Sequence, residues 1–197
     1  MQFLPDKADE EIVVLARTRN PEYFGDLVVR HQDKIFRFVR SIVFDEATAE
    51  DLAQQTFERA FVALNVFNPK KSFKTWLFTI AKNQALSHLR AQKLRRTASL
   101  DAPLSTDEPD LTLGDTLVAP TQAPSDDLDR RDQATRVRAA LKKIKPAYRA
   151  ILALFYVEDL SYEEIARTLN LRLNTVRTNL RRAKMQLAKV LKNETFD

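Results

Sequence analysis

Residues 161–191, SYEEIARTLNLRLNTVRTNLRRAKMQLAKVL, constrain the fold more tightly than any other stretch of the chain. Ile165, Ala166 and Leu169 share one helical face, Leu171 and Leu173 bracket a break, and Val176, Leu180, Ala183, Leu187 and Leu191 resume the period. Two short amphipathic helices joined by so brief a turn have the plan of a helix-turn-helix. Ala166 suits the point where the two backbones approach most closely. Asn174 or Thr175 is expected to cap the second helix, where open backbone donors need a side-chain oxygen. With Val176 and Leu180 turned inward, the outer face carries Thr178, Arg181, Arg182 and Lys189, with Arg177 on its flank. No acidic residue occurs between Glu164 and Glu194. A basic helical face is often only solvated surface. Here the turn, the small buried residue, the cap and the one-sided charge together favour base edges and phosphates as its partner.

The rest of the chain agrees with an all-α reading. It has two Gly, no Cys and long stretches of helical period in 197 residues, enough for one or two domains with cores of their own. Its net charge of +5 understates the basic regions, because residues 97–129 hold eight Asp and Glu and no Lys or Arg, which leaves +13 elsewhere. Such a surplus points to a polyanionic partner and salt-dependent binding. Without Cys there is no disulfide framework or thiolate metal site, and His31 and His88 are too isolated for a zinc centre. No cofactor and no metal are therefore expected. The N-terminal segment MQFLPDKADEE lacks the basic start and apolar core of a signal peptide, and no apolar run approaches membrane-spanning length. A cytoplasmic protein without membrane insertion is expected.

In chain order, residues 9–19 read as a first helix closed by Asn20-Pro21, and residues 22–44 as a heavily apolar central helix containing Phe24, Leu27, Ile35, Phe38 and Ile42. His31, within it, is read as a packing or surface histidine. Residues 45–65 open on the helix signal Asp45…Thr48 and bury Ala49, Leu52, Ala53, Phe57 and Ala60, leaving Glu50, Asp51, Gln54 and Gln55 outside. That acidic and amide face is either solubilising charge or a docking surface for a protein. Residues 66–74, VFNPKKSFK, form a loop broken by Asn68-Pro69; Lys70, Lys71 and Lys74 can follow a sugar-phosphate backbone, and Phe67 and Phe73 can offer ring faces to unstacked bases. The helix over residues 75–96 turns Phe78, Ala81, Ala85 and Leu89 inward. Trp76, Ile80, Asn83, Ser87 and Arg90 lie on roughly the opposite side; Trp76 reads either as core packing or, beside Asn and Ser, as a mixed residue with its indole packed by one edge and open to nucleic acid by the other.

Residues 97–129 change character: they hold four of the eight Pro, mixed Ser, Thr and Asp, and little periodicity. This stretch is expected to be a flexible acidic linker, with Leu111, Leu113, Leu117 and Val118 hinting at local docking. Residues 130–141 then form a helix, Ile144-Lys145-Pro146 turns the chain, residues 147–156 (AYRAILALFY) form a strongly apolar helix, and Ser161 with Glu164 makes a capping box at the helix-turn-helix.

The runs AEDLAQQTFERAF (49–61), SFKTWLFTIAKNQALSHLR (72–90) and LSYEEIARTLNLRLNTVRTNLRRAKMQL (160–187) together resemble bacterial RNA polymerase sigma factors of the extracytoplasmic function group, in order and over nearly the whole chain. The resemblance implies two small helical domains: a region 2-like bundle at 1–96 that opens the promoter −10 element, and a region 4-like helix-turn-helix domain at 130–197 that reads the −35 element. The linker at 97–129 joins them. It implies −35 contacts from Asn174, Thr175, Arg177, Thr178, Arg181 and Arg182. It implies −10 contacts from Lys70, Lys71, Phe73, Lys74, Trp76, Asn83, Ser87 and Arg90. Glu50, Asp51, Gln54 and Gln55 match the surface that docks on the clamp helices of the largest subunit of core polymerase. An anti-sigma partner for the free, monomeric chain is implied as well, and no catalytic residue. Ser87 stands where relatives often have Asp, Asn174 where Gly is usual, and the Asn-Pro-Lys-Lys loop replaces a Gly-containing one.

Two rivals stand beside this reading. A polymerase-independent helix-turn-helix regulator would bind its operator tightly alone and usually as a dimer. A metal-dependent nuclease would rely on Asp107, Glu108, Asp110 and Asp115, which lie in a Pro-rich segment without the rigid scaffold that two-metal chemistry requires.

Overall fold

Local chemistry sets most helix boundaries. The Asp45 carboxylate accepts the Thr48 backbone N–H at 2.7 Å and starts a helix at Glu46. Asn20 accepts the Glu22 N–H at 2.9 Å, and Pro21 follows it in a single 3-10 turn that splits off the first helix. The computed structural model describes residues 4, 6–99 and 124–193. Within them the chain is helical throughout: α1 (Asp9–Thr18), α2 (Phe24–Val43), α3 (Glu46–Val62), α4 (Phe73–Ser99), α5 (Pro124–Lys142), α6 (Pro146–Tyr156), α7 (Tyr162–Leu169) and α8 (Leu173–Asn193), with short 3-10 turns at Pro21–Tyr23 and Leu64–Val66.

In the N-terminal half α2 lies at the centre, with α1, α3 and α4 packed on it. Ile35, Phe38, Val39 and Ile42 of α2 meet Leu52 and Ala60 of α3 and Leu77, Phe78 and Ala81 of α4, all buried. His31 is buried in this packing, and its Nε2 lies 2.6 Å from Asp9 Oδ2, so it is a structural histidine paired across α1 and α2.

In the C-terminal half the capping box forms as the sequence implies. Ser161 Oγ accepts the Glu164 N–H at 3.2 Å, and Glu164 Oε2 accepts the Ser161 N–H at 2.9 Å. The turn after α7 differs from expectation. Asn170 takes the left-handed conformation (φ 53°), and the Leu171 N–H closes back to Ala166 O at 2.9 Å. Only three residues, Asn170, Leu171 and Arg172, then separate the helices, so α8 restarts at Leu173, and Asn174 and Thr175 lie inside its first turn instead of capping it. Helix α5 likewise begins at Pro124, inside the stretch assigned to the linker; proline loses nothing in a first turn, where its missing N–H has no partner. Leu111, Leu113, Leu117, Val118 and the carboxylates from Asp107 to Asp115 lie outside the described residues.

The two halves pack on each other, which the periodicity does not reveal. Helix α6 lies on α2 and α7 on α4, and the buried apolar residues of both halves form one cluster. Arg149 donates to Ile42 O at 2.7 Å and its guanidinium sits 5.0 Å above the Phe44 ring, with Lys142 at 5.8 Å. Phe44 is held at φ 62°, a conformation that costs a non-glycine residue roughly 1–2 kcal/mol. Lys74 Nζ donates to Glu158 O at 3.3 Å, and the Thr79 hydroxyl lies 3.2 Å from Thr168 O.

Glu158 is buried where the halves meet, and one carboxylate oxygen has no hydrogen-bond partner. Burial pushes its carboxyl above the ordinary range, opposed by the charges of Arg37, Lys74 and Lys34. A carboxyl whose folded-state value is raised holds its proton more tightly when folded. Its stabilising contribution is complete below about pH 4 and is lost as pH rises through the raised value. Glu158→Gln is therefore expected to be more stable than the parent at pH 7 and to lose that advantage toward pH 4. Thermal unfolding across this range checks it; an advantage that is flat or grows in acid would be the contrary result.

Candidate nucleic-acid interface

On α8, Val176, Leu180 and Ala183 are buried, and this fixes the opposite face outward. Arg177, Thr178, Arg181 and Arg182 are exposed, with Lys189 further along. The three arginines make no ion pair among the described residues, so their donors are open to solvent. Thr178 donates its hydroxyl proton to Asn174 O at 2.9 Å, leaving its methyl group and lone pairs outward. Asn174 is exposed in the first turn and Thr175 half-buried, so the structure brings five of the six residues expected here onto one open surface.

A second polar surface runs along α4. Asn83, Ser87 and Arg90 are exposed on one face. The half-buried indole of Trp76 begins the row, packed on one side against Phe67 at 4.9 Å and Phe73 at 5.7 Å. Ahead of the helix, Asn68 accepts the Lys70 N–H on its side chain and the Lys71 N–H on its carbonyl, both at 2.9 Å. That tight turn directs Lys70 and Lys71 outward. Lys74 is drawn instead toward Glu158 at the contact between the halves.

The ring faces expected of Phe67 and Phe73 require correction. Phe73 is 0% exposed and Phe67 4%. Their rings meet edge to face at 5.7 Å, and His31 lies 5.9 Å from Phe73. The loop folds back over the α2–α4 core, and burying two rings is worth more there than leaving them in water. Among these aromatics, only Trp76 keeps partial exposure beside the polar row.

The third surface lies between α2 and α3. Glu50 and Gln54 edge a groove of about 430 Å³ whose floor is Val28, Phe36, Ala53 and Phe57, with Asp33 and Glu58 at its rim. Asp51 is exposed outside the groove. Gln55 turns the other way, accepting from Gln84 of α4 at 3.4 Å. The sequence supplies the acidic face, but not the apolar floor beside it. Val28 and Phe36 belong to the same apolar run as the α2 core residues, and helical period alone does not set them apart from that core. An apolar trough edged by carboxylates fits an amphipathic, basic helix.

Among the described residues no group of three or more His, Asp or Glu side chains is placed to hold a metal ion, and no helix is long and apolar enough to cross a membrane.

Known proteins share this fold and its sequence families. Residues 27–95 match the sigma-70 region 2 family and residues 134–187 the sigma-70 region 4 family. The extracytoplasmic function (ECF) RNA polymerase sigma factor SigW of Bacillus subtilis is 31% identical over 86% of this chain and 89% of its own length. The fold is shared with CnrH, solved in complex with the cytosolic domain of CnrY, at a TM-score of 0.66 and 24% identity over 95% of this chain and 99% of that one. It is shared also with the sigma factor RpoE of Bartonella quintana, solved with the anti-sigma factor NepR, at 0.63 and 24% over 87% and 98%.

Proposed function

The chain belongs to the extracytoplasmic function group of RNA polymerase sigma factors, and from that premise we propose how its three surfaces divide the work of transcription initiation. Helix α8 reads the −35 element through Arg177, Thr178, Arg181 and Arg182, helped by Asn174 and Thr175 in its first turn. Helix α4 and the turn before it engage the −10 element: Lys70, Lys71 and Lys74 follow the backbone, and Trp76, Asn83, Ser87 and Arg90 meet bases and phosphates. Phe73 supports them from the core. The α2–α3 groove, edged by Glu50 and Gln54, docks on the clamp helices of core polymerase, with Asp51 and Gln55 on the same helix outside the groove. The observation that carries the reading is the unpaired cationic face of α8, turned outward by the burial of Val176, Leu180 and Ala183.

Opening a promoter costs a few kcal/mol per unstacked step, and stacking on an aromatic returns about 1–3 kcal/mol for each captured base. A specificity subunit can therefore open DNA by trapping bases, with the chemistry left to the polymerase in the cytoplasm. The two elements lie about 25 base pairs apart, roughly 85 Å at about 3.4 Å per pair. Halves that share one core and draw Lys74 toward Glu158 must part before both elements can be read. The RpoE fold solved with an anti-sigma factor makes a protein of that class the regulatory partner we assign to the closed chain.

Run-off transcription with core polymerase on a promoter library tests class and specificity together: start-site selection that appears only when the chain is added is the expected result, and none would sink the reading. Arg181→Ala is expected to cost about 1–3 kcal/mol at a single −35 base if the guanidinium makes a bidentate contact. If it touches phosphate, affinity falls evenly across sequences and the salt slope drops by about one. Footprinting against single-base variants separates the two.

A further inference from the structure

The loop that presents the proposed −10 contacts is held at both ends by α1, a helix that itself lies outside all three surfaces. At the near end, Nη2 of Arg17 donates to two carbonyls, Leu64 O and Phe67 O, and its guanidinium lies 6.0 Å from the Phe67 ring centroid. Leu64 lies in the 3-10 turn, where its carbonyl also accepts the Phe67 N–H at 3.2 Å, and Phe67 is the residue that closes the turn, so the guanidinium grips the turn at its first and last carbonyls. At the far end, Glu10 Oε1 accepts the N–H of Phe73, the first residue of α4, at 2.8 Å. Ser72 Oγ accepts the Thr75 N–H at 3.3 Å from the usual capping position. The first turn of α4 is thus capped twice, once from its own sequence and once from a helix 63 positions away. A carboxylate there also meets the positive end of the helix.

Helix α1 is itself immobilised. Ile12, Val13 and Ala16 are buried, and Asp9 binds His31 at 2.6 Å and Arg30 at 3.0 Å. Neighbouring carboxylates on one helix therefore divide their work, with Asp9 tying α1 to α2 and Glu10 tying it to α4. Between the two clamps lies the Asn68 turn that projects Lys70 and Lys71, and Trp76 stands one turn beyond Glu10's hydrogen bond.

We propose that Arg17 and Glu10 are positioning residues for −10 recognition: they fix the height and angle of loop 67–72 and of the first turn of α4 without touching DNA. This rests on the reading of that loop as the −10 contact. The physical need is plain. A short loop between rigid ends keeps freedom that would be lost on binding DNA, and a misplacement of about 1 Å is enough to cost a large factor in a site that depends on orientation.

The test uses the full chain with core polymerase and compares Arg17→Lys, Glu10→Ala and Glu10→Gln with the parent. Arg17→Lys keeps the charge but loses the planar fork that spans two carbonyls. Glu10→Gln keeps an oxygen that can accept the Phe73 N–H, and Glu10→Ala does not. Trp76 is the sole tryptophan, so its emission reports the packing of Phe67 and Phe73 in the free protein, independently of any promoter. Expected are a shifted Trp76 emission and about a tenfold loss of discrimination at −10 bases in Arg17→Lys and Glu10→Ala. Glu10→Gln should recover most of both, and −35 discrimination and core affinity should stay within about twofold of the parent.

Unchanged emission and unchanged −10 discrimination in Arg17→Lys and Glu10→Ala overturn the proposal. So does a parallel loss of −10 discrimination, −35 discrimination and thermal stability that Glu10→Gln does not relieve, since that marks a general structural role. A parent chain without any −10 preference strikes the underlying reading instead, and the emission change then still shows whether the clamp orders the loop.

Discussion

Glu50→Lys combined with Glu58→Lys is expected to reduce affinity for core polymerase on the order of 100-fold, about 2.8 kcal/mol, with transcription lost at protein concentrations that saturate the parent. Both carboxylates are exposed at the edge of the α2–α3 groove, above the apolar floor of Val28, Phe36, Ala53 and Phe57. Placing cations there leaves the trough intact and sets like charges against a basic partner helix, which costs more than the loss of an attraction. Among the described residues the hydrogen bond disturbed is Gln54 to Glu58 at 2.9 Å, which is exposed, so folding should be nearly unchanged. Titration of labelled core polymerase measures the effect, with thermal unfolding as the control. Parent-like affinity in a folded double variant would remove the groove from the polymerase interface and return the acidic face to simple solubilising charge.

Phe73→Ala carries the second large effect, and it appears first in stability. The ring is wholly buried among Phe67, Trp76 and His31, so truncation leaves a cavity and should cost about 3–5 kcal/mol. For a chain of this size that corresponds to a fall in melting temperature of roughly 6–20 °C. Promoter opening should fall with it, because Trp76 loses the surface against which it is packed. A ring that served chiefly as an exposed stacking platform would give the opposite pattern: near-normal stability with selective loss of opening. Thermal unfolding and permanganate reactivity of promoter thymines on the same preparation separate the two. The outcome decides whether Phe73 meets bases or only supports the residue that does.

A helical period encodes some of these features and is silent on others. Ser161 with Glu164 and Asp45 with Thr48 interact over three residues, so their caps follow from local order and form as read. Arg177, Thr178, Arg181 and Arg182 are outward because Val176, Leu180 and Ala183 are inward, and a period of about 3.6 residues settles both at once. Phe73 escaped this logic because it sits where a loop becomes a helix: with no completed turn before it, periodicity assigns it no face. Asn170 escaped because its left-handed conformation goes with closure of the turn onto Ala166, which helical period does not record.

By itself the sequence determined an all-helical chain, the order of its elements, the outward face of α8 and the acidic face of α3, since each depends on contacts within a few residues. The tertiary structure alone decided that the two halves share a core and that Glu158 is buried between them. It alone made Val28 and Phe57 the floor of a groove, and brought α1 to the loop before α4 through Arg17 and Glu10. Those features join residues tens of positions apart. Their free energy comes from burial and hydrogen bonds that exist only once the helices have met, and no local pattern of residues records which helices will meet.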